Sequence, residues 1–145
     1  MLQLHVWISL CLLINFQFVQ SELFGREQST GAFGYLTCNE RPAQRVLVKM
    51  YNKNVLLDDL IAKTYTDSTG FYELSGWSTE LTEIDPTLNF YHNCNYDNPI
   101  CKQKFRIHIP TQYISDGRLA KRLYDGGNIS LDSTFPNQGV DCLHL

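Results

Sequence analysis

The chain has 145 residues, 43% of them hydrophobic, and a formal net charge of −3 at pH 7. This length corresponds to one domain with a modest core, and the weakly negative charge gives no reason to expect a nucleic-acid partner. The sequence contains no internal repeat, low-complexity tract or linker that would divide it.

The N-terminus is predicted to be a secretory signal peptide. Its apolar run over residues 6–14 is shorter than the roughly 20 residues that a membrane span needs. Val19 and Ser21 would stand three positions and one position before a cut after Ser21. A membrane anchor and a core segment are the alternatives. We expect a signal peptide over residues 1–21, an exported domain over residues 22–145 and no transmembrane segment.

Cysteine usage fits this expectation. Removal of Cys11 with the signal peptide leaves Cys38, Cys94, Cys101 and Cys142. An even number of cysteines in a small exported chain predicts disulfides, whereas a cytosolic chain would favour metal or redox chemistry. We therefore predict two disulfides, for which four cysteines allow three pairings.

The predicted elements are strands. Helical periodicity is scarce, and short alternating runs are broken by turn residues about every ten positions, as is typical of an all-β sandwich or barrel. We predict an antiparallel Greek-key sandwich of about seven strands. In chain order, the candidate strands are "GYLTC", "RVLVKMY", "LIAKTYT", "FYELSG", "TLNFYHNC", "KQKFRIHI" and "NISLDS".

Two of these predictions are specific. The run "RVLVKMY" places Val48 and Met50 on one face and Lys49 on the other. The segment "DSTG" follows, where Asp67 can cap a turn and Gly70 can adopt positive φ. That turn predicts a hairpin over residues 60–74. The segment "WSTELTEIDP" is interpreted as a long connection.

The stretch "FYHNCNYDNPICKQKFRIHIP" predicts a second hairpin. If Cys94 and Cys101 face each other across it, Phe90 lies opposite Phe105 on one apolar face. Directly opposed residues have Cβ atoms about 4.5–5.5 Å apart, which is close to the span of a disulfide. The strand register therefore favours a Cys94–Cys101 bridge.

The remaining pair is then Cys38–Cys142, which would close a loop of about 100 residues and contribute roughly 4–5 kcal/mol in the chain-entropy model. Because the hairpin loop is much shorter, replacement of Cys38 should lower stability more than replacement of Cys94.

Four segments resemble the nematode transthyretin-like family: "GYLTCNERPAQRVLVKMYN", "DDLIAKTYTDSTGFYELSGWSTELTEIDPTLNFYHNC", "CKQKFRIHIPTQYI" and "YDGGNISL…DC". The resemblance covers residues 34–142, with all four cysteines in place. It implies a secreted single domain with a transthyretin-like β-sandwich that acts outside the cell. It does not imply transport of thyroid hormone.

An enzyme and a metal site are both disfavoured. Hydroxyisourate hydrolases share the transthyretin fold and end in Tyr-Arg-Gly-Ser, whereas this chain ends in "DCLHL". His92, Cys94, Cys101 and His108 could supply zinc ligands. The hairpin register, however, places His108 on the face opposite to the other three. We expect no catalytic activity, no metal and no cofactor.

The outer face of the second hairpin is the candidate binding surface. Its basic side chains occupy alternate positions along one strand, and Tyr91 on the neighbouring strand lies opposite Lys104. Such a face could bind an anionic group: a phospholipid head, a sulfated glycan or an acidic receptor patch. The alternative is a charged face that only maintains solubility or blocks aggregation at a sheet edge. The basic residues are Lys102, Lys104, Arg106 and His108.

The sequence thus favours a non-catalytic extracellular binding module, an adaptor or ligand at cell surfaces or receptors. An oligomeric carrier of a small apolar ligand and a secreted enzyme of unknown type are the alternatives. The sequon at Asn128 is the one acceptable glycosylation site after the signal peptide.

Overall fold

The structure is a computed structural model that describes residues 24–143. The predicted signal peptide lies outside these residues. Within them the fold is all-β, as predicted, and consists of two sheets with a core between them. The strands are β1 Arg26–Cys38, β2 Arg41–Pro42, β3 Leu47–Asn52, β4 Asp59–Tyr65, β5 Phe71–Glu80, β6 Pro86–His92, β7 Lys102–His108, β8 Ser115–Asp116, β9 Tyr124–Ser130 and β10 Gly139–Asp141.

The first sheet is organised around the long strand β1. This strand pairs antiparallel with β5, β2 and β8 and parallel with β9. The second sheet has the order β10-β7-β6-β3-β4, and all of its pairs are antiparallel. Seven of the strands match predicted runs, whereas the short strands β2, β8 and β10 carry too few residues to show a period.

The predicted faces of β3 are confirmed. Val48 and Met50 are fully buried and join Phe90 in the core between the sheets. The opposite face is also covered, since Lys49 is only 2% exposed and its Nζ lies 5.5 Å from the centre of the Tyr91 ring. The outer face of the second sheet is therefore a packed polar layer around its central strands.

The predicted turn after β4 is confirmed, but the hairpin is wrong. Asp67 Oδ1 accepts hydrogen bonds from the backbone N–H and hydroxyl of Thr69 and from the Phe71 N–H, and Gly70 has φ +80°. The strands on either side do not pair, because β4 pairs with β3 and β5 pairs with β1. The turn carries the chain from one sheet to the other. Much of the predicted long connection is strand, since β5 extends to Glu80.

The register of the second predicted hairpin is confirmed, with Phe90 opposite Phe105 in the β6–β7 ladder. The predicted disulfide pairing is nevertheless wrong. The bridges are Cys38–Cys94 and Cys101–Cys142.

The correction has a geometric cause. The β6–β7 ladder ends at His92, and Cys94 meets Cys38 at the end of β1 in the opposite sheet. Cys101 is instead opposed by the residue after β10, since Asp141 pairs with Lys102 in an antiparallel ladder. Opposed residues on either side of β7 could bridge to Cys101, and strand β10, which the sequence pattern does not reveal, supplies the partner that does so.

Candidate functional site

The five predicted binding residues share one face. Strand β7 alternates as expected, and its register with β6 places its basic side chains beside Tyr91, Asn89 and Thr87 on the outer face of the second sheet. Tyr91 is 3% exposed, and burial raises the pKa of its phenol above the usual range. Tyr91 is therefore neutral at physiological pH. It contributes a ring against which the ammonium groups of Lys49 and Lys104 pack, and it adds no charge to the face.

The part of this face nearest β10 is already paired within the protein. Lys104 Nζ lies 3.0 Å from Asp141 Oδ2 and 5.3 Å from the centre of the Tyr91 ring. Lys102 Nζ donates a 2.6 Å hydrogen bond to Asn93 Oδ1. These two predicted residues mainly fasten β7 to its neighbours.

The other two basic residues of β7 line a cavity of about 400 Å³ at the end of the strand. Arg106 and His108 form one wall, and Thr87 lies beside His108 across the β6–β7 ladder. Lys53, just after β3, and Asn137, in the connection before β10, complete the lining. This arrangement is the candidate functional site.

Of the basic side chains that line the cavity, one is paired with a carboxylate and another has no partner among the described residues. His108 Nδ1 lies 3.0 Å from Asp85 Oδ1 in a half-exposed pair. Arg106 is exposed, and within residues 24–143 its guanidinium has no hydrogen bond, ion pair or ring contact. Its five N–H donors are thus available to a ligand in the cavity that Lys53 also lines. A phosphate, sulfate or carboxylate group matches this chemistry.

Arg106 and His108 are the two of the five lining residues that strand alternation predicts. Lys53 continues the alternation of Lys49 and Tyr51 along the outer face of β3, so its position could have been predicted from the strand pattern. Thr87 follows from the β6–β7 register. Nothing in the local sequence around Asn137 indicates that its connection returns to this end of the sheet.

The four candidate zinc ligands are not brought together. Cys94 and Cys101 belong to different disulfides, while His92 is buried on the core side and His108 is exposed on the outer side. In the part of the chain that the structure describes, no three His, Cys, Asp or Glu residues are grouped to hold a metal ion.

A second concavity, of about 470 Å³, lies in the β6–β7 connection over residues 93–99. The side-chain amides of Asn93 and Asn98 form hydrogen bonds within this connection. Asn93 donates to the carbonyls of Tyr96 and Asn98, and Asn98 Oδ1 accepts from the N–H groups of Ile100 and Cys101. Because these groups are already bonded, the basic cavity is the better candidate.

Comparison with known proteins decides the family. The sequence model described as "TTR-52: Transthyretin-like family" matches residues 33–110, which is more than half of the chain. The chain belongs to the transthyretin-like family.

Several transthyretin-like proteins of Caenorhabditis elegans are similar over nearly the whole length. Transthyretin-like protein 5 is 46% identical over 124 residues, 84% of this chain and 89% of that protein. Transthyretin-like protein 33 is 36% identical, covering 81% and 83% of the two chains, and transthyretin-like protein 2 is 34% identical, covering 85% and 88%. These matches confirm the resemblance found in the sequence.

One solved structure is also similar, a 9R-lipoxygenase from Cyanothece PCC8801, with 17% identity, a TM-score of 0.41 and coverage of 71% of this chain and 16% of that one. A likeness this low says nothing about the activity of the transthyretin-like chain. Between residues 24 and 143, no helix is long and apolar enough to cross a membrane.

Proposed function

We propose that this transthyretin-like protein is a secreted, non-catalytic binding module, an adaptor or ligand at cell surfaces or receptors. Its basic cavity would bind an anionic group such as a phospholipid head. The observation that carries the proposal is Arg106, an exposed guanidinium without an intramolecular partner among the described residues, in the same cavity as Lys53. An unpaired Arg beside a second cation is a recurrent feature of phosphate recognition.

Support for a non-catalytic role comes from the chemistry of the cavity. Its lining offers a guanidinium, an ammonium, an amide, a hydroxyl and an imidazole that is paired with a carboxylate. Thr87 is buried and lies opposite His108 on the neighbouring strand. Within residues 24–143, however, no hydrogen bond joins the Thr87 hydroxyl to the imidazole that Asp85 holds, so the contact between base and nucleophile that would activate this hydroxyl is not formed. Binding by charge and hydrogen bonding is the simplest use of this set.

Support for secretion comes from the two disulfides. Structural disulfides persist in oxidising compartments and are rare in the cytosol. The predicted signal peptide over residues 1–21 agrees with this proposal.

The test compares two substitutions that remove one positive charge from the same strand. Arg106→Gln should reduce capture by vesicles of phosphatidylcholine and phosphatidylserine about fivefold, because a basic residue contributes about 1 kcal/mol at an anionic surface. Lys102→Gln should reduce capture less, since Lys102 is already bonded to Asn93. Vesicle flotation at low and physiological salt measures both.

Equal losses for the two variants would mean that only net charge matters, and absence of capture for the unmodified protein would refute the lipid proposal. Titration with inorganic phosphate separates recognition of the phosphate group from recognition of a lipid surface. Phosphate should compete with vesicles for the unmodified protein but have little effect on Arg106→Gln.

The sequon gives a further prediction under the same proposal. Asn128 is exposed on β9, a strand that pairs only with β1 among the described strands. Expression in secreting eukaryotic cells should therefore yield a glycan that peptide N-glycosidase removes, with a corresponding mass loss. Asn128→Gln should abolish that loss. A glycan-free secreted protein would contradict the prediction.

A further inference from the structure

The connection between β3 and β4 exposes three consecutive apolar side chains. Val55 and Leu56 are 103% and 97% exposed, and Leu57 is 76% exposed. We call these three residues the apolar tip. Single exposed apolar residues are common on soluble proteins, but a contiguous exposed patch marks an interaction surface.

The base of this connection is fastened by hydrogen bonds. Asn54 Nδ2 donates a 2.6 Å bond to Asp59 Oδ2, and the Asn54 N–H donates to Asp58 Oδ1. Asn52 Nδ2 donates to Asn54 Oδ1 and to Glu80 Oε1, which ties the connection to the end of β5. The polar residues thus close the loop below the apolar tip, and the apolar side chains are left outside it.

The apolar tip and the basic cavity lie at the same end of the second sheet. Lys53 joins them, because it lines the cavity and is separated from Val55 by a single residue. Leu81, 71% exposed, follows the β5 terminus to which the connection is tied. One end of the sandwich therefore presents apolar side chains beside the cations of Lys53 and Arg106.

We propose that the apolar tip inserts into a phospholipid bilayer while the basic cavity holds a lipid phosphate at its surface; this inference rests on the proposed function. A protruding run of Val and Leu needs an occupant that deforms around it, and a bilayer does so without a complementary groove. Apolar burial combined with attraction to anionic lipids is the general basis of interfacial membrane binding. The neighbouring carboxylates of Asp58 and Asp59 limit insertion to the outer part of the acyl layer.

Two paired experiments test the inference on the full mature chain, with vesicles of phosphatidylcholine and phosphatidylserine. Leu56→Ser/Leu57→Ser should lower vesicle capture at least tenfold without changing the melting temperature, since both side chains are exposed. The matched control, Ile100→Ser/Leu143→Ser, removes two exposed apolar side chains at the opposite end of the sheet and should leave capture unchanged.

The second experiment measures how deeply the apolar tip enters the bilayer. The fluorescence of Leu56→Trp should shift to the blue on binding and be quenched by lipids brominated on their acyl chains, whereas Ile100→Trp should show neither effect. Unchanged capture by the serine variant, or an unquenched Trp in a protein still captured through Arg106, would overturn the inference and leave the proposed function standing. A tip that fits a groove of a protein partner would give this same result. No capture of the unmodified protein would overturn both.

Discussion

Replacement of both Cys38 and Cys94 by alanine should lower the free energy of unfolding by at least about 4 kcal/mol, the contribution expected for a bridge that closes a loop of this size. The two cysteines are 56 residues apart, and Cys101 and Cys142 are 41 apart. The chain-entropy contribution depends only on the logarithm of this separation, so both bridges should contribute about 4 kcal/mol through the unfolded state.

The two bridges differ in how deeply their cysteines are buried. Cys94 is 9% exposed and belongs to the core between the sheets, whereas Cys142 is exposed and follows the short edge strand β10. Loss of the Cys38–Cys94 bridge also leaves a gap in packed surroundings, which adds a cavity cost. We therefore expect Cys38→Ala/Cys94→Ala to be less stable than Cys101→Ala/Cys142→Ala in urea unfolding.

Peptide mapping of the unreduced protein is the control for this prediction. It should recover one peptide pair joined through Cys38 and Cys94 and another joined through Cys101 and Cys142. Recovery of a Cys94–Cys101 pair would contradict the structure and restore the pairing inferred from the hairpin register. A greater loss of stability for the Cys101 and Cys142 variant would contradict the argument from burial.

The second large effect should be a loss of stability in mild acid that originates at His92. This imidazole is 2% exposed, neither ring nitrogen has a hydrogen-bond partner among the described residues, and its ring contacts Phe105. Burial lowers the pKa of His92 from 6.5 to about 4, and the positive charge of Lys102 acts in the same direction.

The direction of the pH effect follows from linkage. Between about pH 4 and 6.5 the unfolded chain binds a proton at His92 that the folded chain does not, so stability falls as pH falls through this window. The shift corresponds to a total loss of about 3 kcal/mol by the lower end of the window. Above pH 6.5 both states are neutral at His92, and this contribution to the free energy of unfolding no longer changes with pH.

Unfolding by urea at several pH values between 4 and 7 measures this effect. His92→Phe, which keeps a ring of similar shape and removes the titrating group, should flatten the pH dependence between pH 5.5 and 6.5, above the range where most carboxylates titrate. His108→Gln is the matched control and should retain the fall, because His108 is exposed. An unchanged slope in His92→Phe would show that another group causes the acid sensitivity.

Alternation along single strands predicted the local structure well. Val48 and Met50 face the core, Phe90 lies opposite Phe105, and Asp67 caps the predicted turn. These features depend on neighbours in sequence or on one hairpin ladder, so a period of two residues and turn chemistry are sufficient to place them.

Prediction failed where a strand had two candidate partners. The sequence around Asp67 does not indicate that β4 and β5 enter different sheets, because the same turn chemistry can join two strands of one sheet or strands of two sheets. Similarly, Cys101 has suitable positions opposite it on both sides of β7. Only the three-residue strand β10, too short to show alternation, selects Cys142.

The candidate site divides in the same way. The sequence by itself determined the sandwich class, the family resemblance and the alternation that places Arg106 and His108 on one face, since these depend on local pattern and residue identity. The tertiary structure decided which cations stay available. Asp141 pairs with Lys104 only after β10 has folded against β7, and Asn93 bonds to Lys102 only after the β6–β7 connection has done so. Lys53 and Asn137, which line the cavity with Arg106, come from distant positions in the chain. The sequence shows which residues are charged, but whether a charged side chain is already paired depends on contacts between residues that are far apart in the sequence.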